Sequence, residues 1–347
     1  MLIQTKLISW YQKNKRTFPW RKTKDPYKIW ISEIILQQTK ADNGVLYYEK
    51  FLKIFPTLNE LAKSSEEEVL KAWEGFGYYS RARNLFHTAC KIFKEYDSKF
   101  PDDFKTLKSF KGIGDYTASA IVSICFNIPE GVVDGNVYRF ISRFFGIKDD
   151  INLYSSKKKF KEKVNSLIKG FEPGLFNQAM MEFGALQCVP RKPKCNICTL
   201  KGNCFSFKNN QTSLLPINSK KKKTKTRFFN FIVFHNSFKQ VIIEKRDTGI
   251  WKNLYQFPLL ETKKSIKKIS RAKIIDILKN YCDIKEFTLS KWNNKPIKNI
   301  LSHQQIEVDF WVVKIDKHLN GYIDKKDLIN YPMPKVLQNF REKFFLC

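Results

Sequence analysis

The sequence predicts two domains of different class, a mainly α N-terminal domain followed by an α+β C-terminal one, and three observations carry that reading. Helix signals dominate up to about residue 208, the lysine-dense stretch 209–227 has no hydrophobic period, and β-rich runs take over beyond it. At 347 residues and 43% hydrophobic content, the chain is long enough for two sizeable cores. The expected boundaries are 1–208, a basic linker 209–227, and 228–347.

In the first part, "DPYKIWISEIILQQT" opens with Asp25 as an N-cap and Pro26 at the first helical position, with Ile29, Trp30, Ile34 and Ile35 as its apolar positions. "SSEEEVLKAWEGFG" offers Ser65 as a cap, acidic residues in the first turn and glycine at the end. "NNQTSLLPINSKKKKTKTR" is read as linker. Beyond it, "RFFNFIVFH", "QVIIEKR" and "HQQIEVDFWVVKI" are expected strands, with "SRAKIIDILKNY" as one amphipathic helix among them.

Sixty-three basic against thirty-three acidic side chains give a formal charge of +30. Residues 1–210 hold 35 and 21 of them and residues 211–347 hold 28 and 12, so no single tail explains the imbalance. Such a charge points to a polyanionic partner, nucleic acid before membrane, although a lysine- and isoleucine-rich composition can also reflect an AT-rich genome. No apolar run approaches the length of a bilayer span, and the N-terminus lacks a secretory apolar core. Cys90, Cys125, Cys282 and Cys347 are scattered rather than framed as disulfides. The expected compartment is the cytoplasm.

The other four cysteines are crowded. In "CVPRKPKCNICTLKGNC", Cys188, Cys195, Cys198 and Cys204 follow a C-x6-C-x2-C-x5-C spacing within a loop rich in proline, lysine and glycine. Four thiolates closing on one ion or cluster explain that density, and thiolates suit zinc and iron–sulfur centres alike. The spacing alone does not choose between them. Either metal would fold a segment lacking a core of its own.

"LKSFKGIGDYTASAIVSI" reads as a short helix, a tight turn and a second helix from about Asp115. Gly112 and Gly114 permit positive φ and leave N–H groups uncovered beside a helix N-terminus, where a DNA phosphate can bind without regard to sequence. An ordinary helix–helix connection would use the same residues. Asp134, in "EGVVDGNVYR", stands at the expected start of another helix, where it is either a cap or a functional carboxylate. Glu33, flanked by Ile31, Ile34, Ile35 and Leu36, is either a solvent-facing helix residue or a buried acid of raised pKa.

Taken in order, "FPWR" (18–21), "WISEIILQQT" (30–39), "GFGYYSRARNL" (75–85), "GIGDYTASAI" (112–121), "VDGNVYR" (133–139) and "FNQAMMEFGALQC" (176–188) resemble the helix-hairpin-helix DNA glycosylases that carry a [4Fe–4S] cluster. Within them the chain is similar to the MutY-type adenine DNA glycosylases, and the resemblance spans nearly all of residues 1–205. The later sequence resembles a Nudix-like domain. One departure is Lys111, where the family hairpin usually has proline. It should cost some rigidity without removing the hairpin.

The resemblance implies base-excision repair of double-stranded DNA by a monomer with no membrane partner, and removal of adenine mispaired with 8-oxoguanine or guanine. It makes the metal group a [4Fe–4S] cluster on Cys188, Cys195, Cys198 and Cys204. Glu33 becomes the acid that protonates adenine N7, and Asp134 the carboxylate that stabilises the sugar's oxocarbenium charge, the division of labour glycoside hydrolysis requires. Asn136 would orient Asp134, and Tyr116 would hydrogen-bond within the same site. Arg16, Trp20, Arg21, Leu36 and Glu182 match the adenine pocket, with Glu182 accepting from the base's amino group; Trp20 and Leu36 read equally well as core. Gln37 and Tyr78 match residues that fill or wedge the duplex once the base leaves the stack.

The nearest alternative, a bifunctional glycosylase-lyase of the endonuclease III type, needs a lysine amine for Schiff-base chemistry at the position Tyr116 occupies here. A non-catalytic damage binder would need neither Glu33 nor Asp134. Nucleotide hydrolysis by the second domain is not expected, because "ETKKSIKKISRAKIIDILKN" lacks the glycine and spaced glutamates of a Nudix metal box. In MutY-like proteins a Phe-Ser-His turn of that domain inspects the base opposite adenine. Here it reads Leu301-Ser302-His303, so Ser302 and His303 are the expected readers of 8-oxoguanine, with an ordinary hairpin turn as the plain alternative.

Overall fold

A computed structural model describes residues 2–37, 39–219, 225–282, 286–301, 304–317 and 321–345. Ser302 and His303 therefore lie outside the described residues. The chain divides into two compact units, Met1–Lys63 with Asn84–Lys220, and Ser64–Arg83 with Lys221–Cys347.

In chain order the first helices are α1 (Ile3–Asn14), α2 (Pro26–Leu36), α3 (Ala41–Ile54), α4 (Leu58–Lys63), α5 (Glu66–Ala72) and α6 (Ser80–Glu95). They are followed by α7 (Phe104–Ser109), α8 (Asp115–Cys125), α9 (Gly135–Phe145), α10 (Tyr154–Ile168), α11 (Pro173–Leu186) and α12 (Phe205–Lys208). The expected caps are present. Asp25 accepts from the Tyr27 and Lys28 N–H groups ahead of Pro26, and Ser65 forms a reciprocal capping box with Glu68.

α2 and α8 are apolar around much of their circumference, and residues 29–35 and 117–124 are buried without a break. Such helices belong inside a domain, and these two pack against each other. α11 packs on α1, α8 and α9. Its Phe176, Ala179, Met180 and Phe183 enter a core shared with Trp10, Phe140 and Phe160. Part of the expected linker belongs to this unit: Leu215 is buried, and its carbonyl accepts from Arg143 Nε at 2.9 Å. A buried cation seeking carbonyl partners thus orders chain that shows no period of its own.

The second unit is built on a sheet whose described strands run in the order β6 (Thr288–Lys291), β8 (Gln304–Ile315), β1 (Lys225–Asn236), β2 (Gln240–Ile242) and β9 (Tyr322–Asp324), with β5 (Leu259–Thr262) also on β1 and β7 (Ile297–Ile300) also on β8; β3 (Glu244–Lys245) and β4 (Tyr255–Gln256) form a separate pair. Its centre is the parallel pair β1 (Lys225–Asn236) and β8 (Gln304–Ile315), in register from Lys225↔Gln304 to Asn236↔Ile315. β1 begins three residues before the expected 228. Ile232, Phe234, Trp311 and Val313 face α13 (Arg271–Leu278) and its Ile274 and Leu278. The alternate residues Phe231 and Phe310 stack with each other, and Phe310 lies 4.1 Å from the Phe340 ring of α14 (Lys335–Phe345). Cover on both faces explains why these strands read as continuous apolar runs instead of alternating ones.

Within the same unit, the Tyr79 hydroxyl donates to the Met333 carbonyl at 3.1 Å, and Glu74 Oε1 accepts from the Met333 N–H at 3.1 Å. Tyr78, in the adjoining loop, has φ +47° and is 44% exposed.

Candidate active site and cysteine pocket

A cleft of about 390 Å³ in the first unit brings together Arg16, Trp20, Arg21, Glu33, Leu36, Tyr116, Asp134, Asn136 and Glu182, nine of the residues singled out from the sequence. Gln37 instead closes α2 as its C-cap. The cleft also takes in Phe18, Gln178 and Met181, which sequence reasoning did not single out although all lie inside quoted motifs.

Glu33 projects from the wholly buried stretch of α2 and is only 6% exposed. Its Oε2 has no hydrogen-bond partner. Burial pushes the carboxyl up to about 7; a hydrogen bond with Tyr116 and the charge of Arg21 pull the other way, and the nearby Asp134 adds to the rise. Here is the buried acid, not the solvent-facing glutamate. Tyr116 is partly buried, its hydroxyl 3.6 Å from Met181 Sδ, and desolvation followed by the Glu33 and Asp134 charges raises its pKa and holds it protonated.

Asp134 is a cap that also lines the cleft. As N-cap of α9 its Oδ1 accepts from the Val137 N–H at 2.7 Å, and its Oδ2 accepts from Asn136 Nδ2 at 2.7 Å. Burial raises its pKa, while those two donors and the Arg139 charge oppose the rise and favour the carboxylate. Asn136 is held in turn, its Oδ1 accepting from Arg139 Nη2 at 2.9 Å.

Glu182 is 1% exposed and tied to both arginines. Arg16 bonds through Nε (2.9 Å), Nη2 (2.9 Å) and its backbone N–H (2.9 Å), and Arg21 through Nη1 (3.1 Å) and Nη2 (2.8 Å). Burial alone would raise its pKa, but the arginine bonds outweigh that and hold it at about 2. Five donors fill the roughly four lone-pair positions of a carboxylate. In this state Glu182 anchors Arg16 and Arg21, whose guanidinium groups each lie 5.0 Å from the Phe18 ring, itself stacked on Trp20. A base entering the cleft meets an aromatic wall edged with fixed cations.

The hairpin between α7 and α8 is formed as expected. Gly112 has φ +88°, and a Cβ there would stand 2.7 Å from Asn84 Cβ, so both conformation and space demand glycine. Gly114 is the N-cap of α8 with open space beside it and no side-chain cap, leaving the helix terminus accessible. Lys111 keeps the turn without proline because its carbonyl accepts from Thr88 Oγ1 at 2.8 Å.

Cys188, Cys195, Cys198 and Cys204 line one pocket together with Phe140, Phe144, Phe183 and Leu200. None is in a disulfide. Among the described residues, no group of three or more His, Cys, Asp or Glu side chains is gathered tightly enough for a single metal ion. The four thiols surround a shared apolar space without converging on a point. Arg143 Nη1 lies 3.5 Å from Cys188 Sγ, and the Leu200 N–H donates to Cys198 Sγ at 3.4 Å. A cationic and a backbone donor at sulfur suit a thiolate-held, negatively charged group. Burial, reinforced by the neighbouring cysteines, pushes the Cys198 thiol up to about 11, so its ionisation calls for the positive charge of a bound metal. The donor set fits an iron–sulfur cluster.

The family model described as "HhH-GPD superfamily base excision DNA repair protein" matches residues 31–169. An adenine DNA glycosylase of Buchnera aphidicola subsp. Baizongia pistaciae is 37% identical over 286 residues, covering 79% of this chain and 80% of the relative. Its counterpart in Buchnera aphidicola subsp. Acyrthosiphon pisum is 32% identical over 346 residues, 98% of this chain and 97% of the relative. Among solved structures, a thermostable thymine-DNA glycosylase matches with a TM-score of 0.56 at 31% identity, covering 59% of this chain and 95% of that one.

Proposed function

The chain belongs to the adenine DNA glycosylases of the HhH-GPD superfamily, enzymes of base-excision repair, and we propose that it removes adenine mispaired with 8-oxoguanine or guanine in double-stranded DNA. The observation that carries the mechanism is the buried Glu33 carboxyl, its pKa at about 7, in one cleft with the Asp134 carboxylate. Burial raises both carboxyls, but Asp134 accepts from Val137 and Asn136, which favour its charged form, whereas Glu33 Oε2 has no hydrogen-bond partner.

With its pKa at about 7, a large share of Glu33 keeps its proton at neutral pH, and this form delivers it to N7 of the extruded adenine, so that the base leaves as a neutral molecule. Asp134, kept anionic by the Val137 and Asn136 donors, faces the sugar and stabilises the positive charge that develops as the bond breaks. Tyr116 lies beside Glu33 in the cleft and opposes part of the rise in its pKa. The Glu182–Arg16–Arg21 group and the Phe18–Trp20 stack orient the base. For Glu182 to accept from the adenine amino group, one of its arginine bonds must lengthen as the base arrives.

With a phenol at position 116, where a lyase of the endonuclease III type needs its lysine, the enzyme is monofunctional: it leaves an abasic site without cutting the strand. Cys188, Cys195, Cys198 and Cys204 hold a [4Fe–4S] cluster, which contributes folding energy to the loop that carries it. Gly112 and Gly114 present N–H groups to a DNA phosphate, Gln37 and Tyr78 occupy the space left in the duplex, and the protein works as a cytoplasmic monomer. Single-turnover assays on an 8-oxoguanine·adenine duplex test this reading. Wild-type enzyme should release adenine without strand cleavage, and Asp134→Asn should bind the duplex yet release none. Borohydride trapping of a wild-type covalent adduct, or substantial turnover by Asp134→Asn, would overturn it.

A further inference from the structure

The segment that delivers Asp134 is irregular, yet side chains hold its main-chain groups at every step from Glu130 to Val132. Asn177 on α11 is fully buried; its Oδ1 accepts from the Val132 N–H at 2.9 Å and its Nδ2 donates to the Glu130 carbonyl at 2.8 Å. On α10, Asn165 Oδ1 accepts from the Gly131 N–H at 2.7 Å, and Lys161 Nζ donates to the Gly131 carbonyl at 2.6 Å. Lys161 also pairs with Glu130 Oε2 at 2.7 Å. The fit is close: a Cβ at Gly131 would come within 2.5 Å of Val164 Cγ1 and 2.7 Å of Asn165 Oδ1.

Two of these side chains reach further, to α8. Asn177 Nδ2 donates to Ser123 Oγ at 2.9 Å, and Lys161 Nζ to Ser119 Oγ at 2.5 Å. Tyr116, Ser119 and Ser123 follow at i, i+3 and i+7, so they share one face of that helix. The chain from Glu130 to Asp134 therefore runs back along α8, pinned at Ser123 and Ser119 and ending with Asp134 in the cleft beside Tyr116.

We infer that Asn177 and Lys161 are positioning residues for adenine release: by fastening residues 130–132 to α8 they fix the Asp134 carboxylate relative to Tyr116 and Glu33. Neither side chain lines the catalytic cleft. Both act on a segment whose backbone has little else to hold it, and buried polar networks of this kind rigidify what they enclose when every member is satisfied. Displacement of a reacting group by about 1 Å costs on the order of 100-fold in rate. The inference rests on the reading of Asp134 as the carboxylate that stabilises the sugar cation.

The test compares full-length Asn177→Leu, Lys161→Met, Lys161→Arg and Ser123→Ala with wild type and Asp134→Asn. Adenine release is followed with enzyme in excess over an 8-oxoguanine·adenine duplex, and affinity is measured on the same duplex carrying a non-cleavable 2′-fluoro-adenosine. Asn177→Leu and Lys161→Met should lower the single-turnover rate constant by roughly 10- to 100-fold. Their affinity should stay within about threefold of wild type and their iron content should not change. Lys161→Arg, which keeps the charge and donors, should recover most of the rate, and Ser123→Ala should show a smaller loss in the same direction. Wild-type rate constants in folded Asn177→Leu and Lys161→Met would overturn the inference, as would equal losses in rate and affinity. Should Asn177→Leu not fold, Lys161→Met, Lys161→Arg and Ser123→Ala decide the matter. Failure of the underlying reading looks different: wild type releases no adenine, or Asp134→Asn releases it at full speed.

Discussion

Arg139 bridges Cys188 and Asn136. Its Nε donates to the Cys188 carbonyl at 2.7 Å while its Nη2 donates to Asn136 Oδ1 at 2.9 Å and to the Gly184 carbonyl at 2.5 Å. Since Asn136 bonds Asp134, one buried guanidinium joins the backbone of a pocket cysteine to the Asp134 carboxylate in the cleft. With Nη1 also donating to the Gly135 carbonyl at 3.3 Å, the planar fork serves four acceptors, more than the three hydrogens of an ammonium could.

Arg139→Leu should therefore lose on two counts. Leaving the half-buried Asn136 oxygen and the buried Gly184 carbonyl without their donor should destabilise the fold by about 1.5–3 kcal/mol, measured by denaturant titration. Adenine release should slow by at least roughly tenfold as Asn136 loses its hold on Asp134. Arg139→Lys should recover less than half of the stability loss, and an undiminished rate in Arg139→Leu would sever the proposed coupling.

A second expectation concerns pH. The Glu33 carboxyl, raised to about 7 by burial, binds its proton more tightly in the folded than in the unfolded chain. Its contribution to stability is therefore favourable at low pH and is lost as pH rises from the ordinary glutamate range through about 7. Glu33→Gln removes that titration. At pH 8 the variant should be more stable than wild type by up to about 3 kcal/mol, with little difference at pH 4. Its adenine release should be abolished, whereas the wild-type rate should fall above neutrality as the acid form is depleted. Parallel stability–pH curves for the two proteins would place Glu33 in solvent.

Several of these features were legible in the sequence because they are local. Asp25–Pro26 and Ser65–Glu68 mark helix starts by chemistry confined to four residues, and Gly112 marks its turn by conformation alone. Glu33 was ambiguous on paper, since a helix that is apolar all round gives no periodic signal to say which way one glutamate points. What could not be read was mediated by contacts distant in sequence. Arg139 sits inside a quoted motif, but its partners Gly184 and Cys188 are 45 and 49 residues away. The order in 211–219 likewise depends on Arg143, 72 residues before Leu215. The helix α14 also escaped the sequence reading, although Val336, Leu337, Phe340 and Phe344 recur at helical spacing. The Glu182–Arg16–Arg21 pairing was legible as three pocket residues but not as a saturated carboxylate.

The cysteine pocket predicts a metal content. Purified protein should be yellow-brown with about four irons per chain. Chelation of the iron should destabilise residues 188–204, seen as faster hydrogen exchange there, because the loop has little apolar content of its own to hold it. Recovery of one zinc and no iron would refute the cluster, and with it the significance of the Arg143 contact to Cys188 Sγ.

The last prediction falls on the turn between β7 (Ile297–Ile300) and β8, whose ends are in place although Ser302 and His303 lie outside the described residues. Ile300 pairs with Gln305, the Leu301 N–H donates to the Gln304 carbonyl at 2.9 Å, and Ile300 is largely exposed. These contacts hold the two strands together up to Leu301 and Gln304, on either side of the expected reading residues. A serine hydroxyl can accept the N7–H proton that 8-oxoguanine has and guanine lacks. Leu301, in place of an aromatic wedge, can still press against a base step but stacks less well. Discrimination should then rest on Ser302 and His303. The double change Ser302→Ala, His303→Ala should narrow the preference for 8-oxoguanine·adenine over guanine·adenine, each lost contact being worth about 1 kcal/mol, or roughly fivefold in the ratio of single-turnover rates at subsaturating enzyme. The loss should appear chiefly with the 8-oxoguanine duplex, leaving guanine·adenine cleavage near its starting rate, because only the first offers the N7–H. An unchanged ratio would move recognition of the opposite base to another part of the protein.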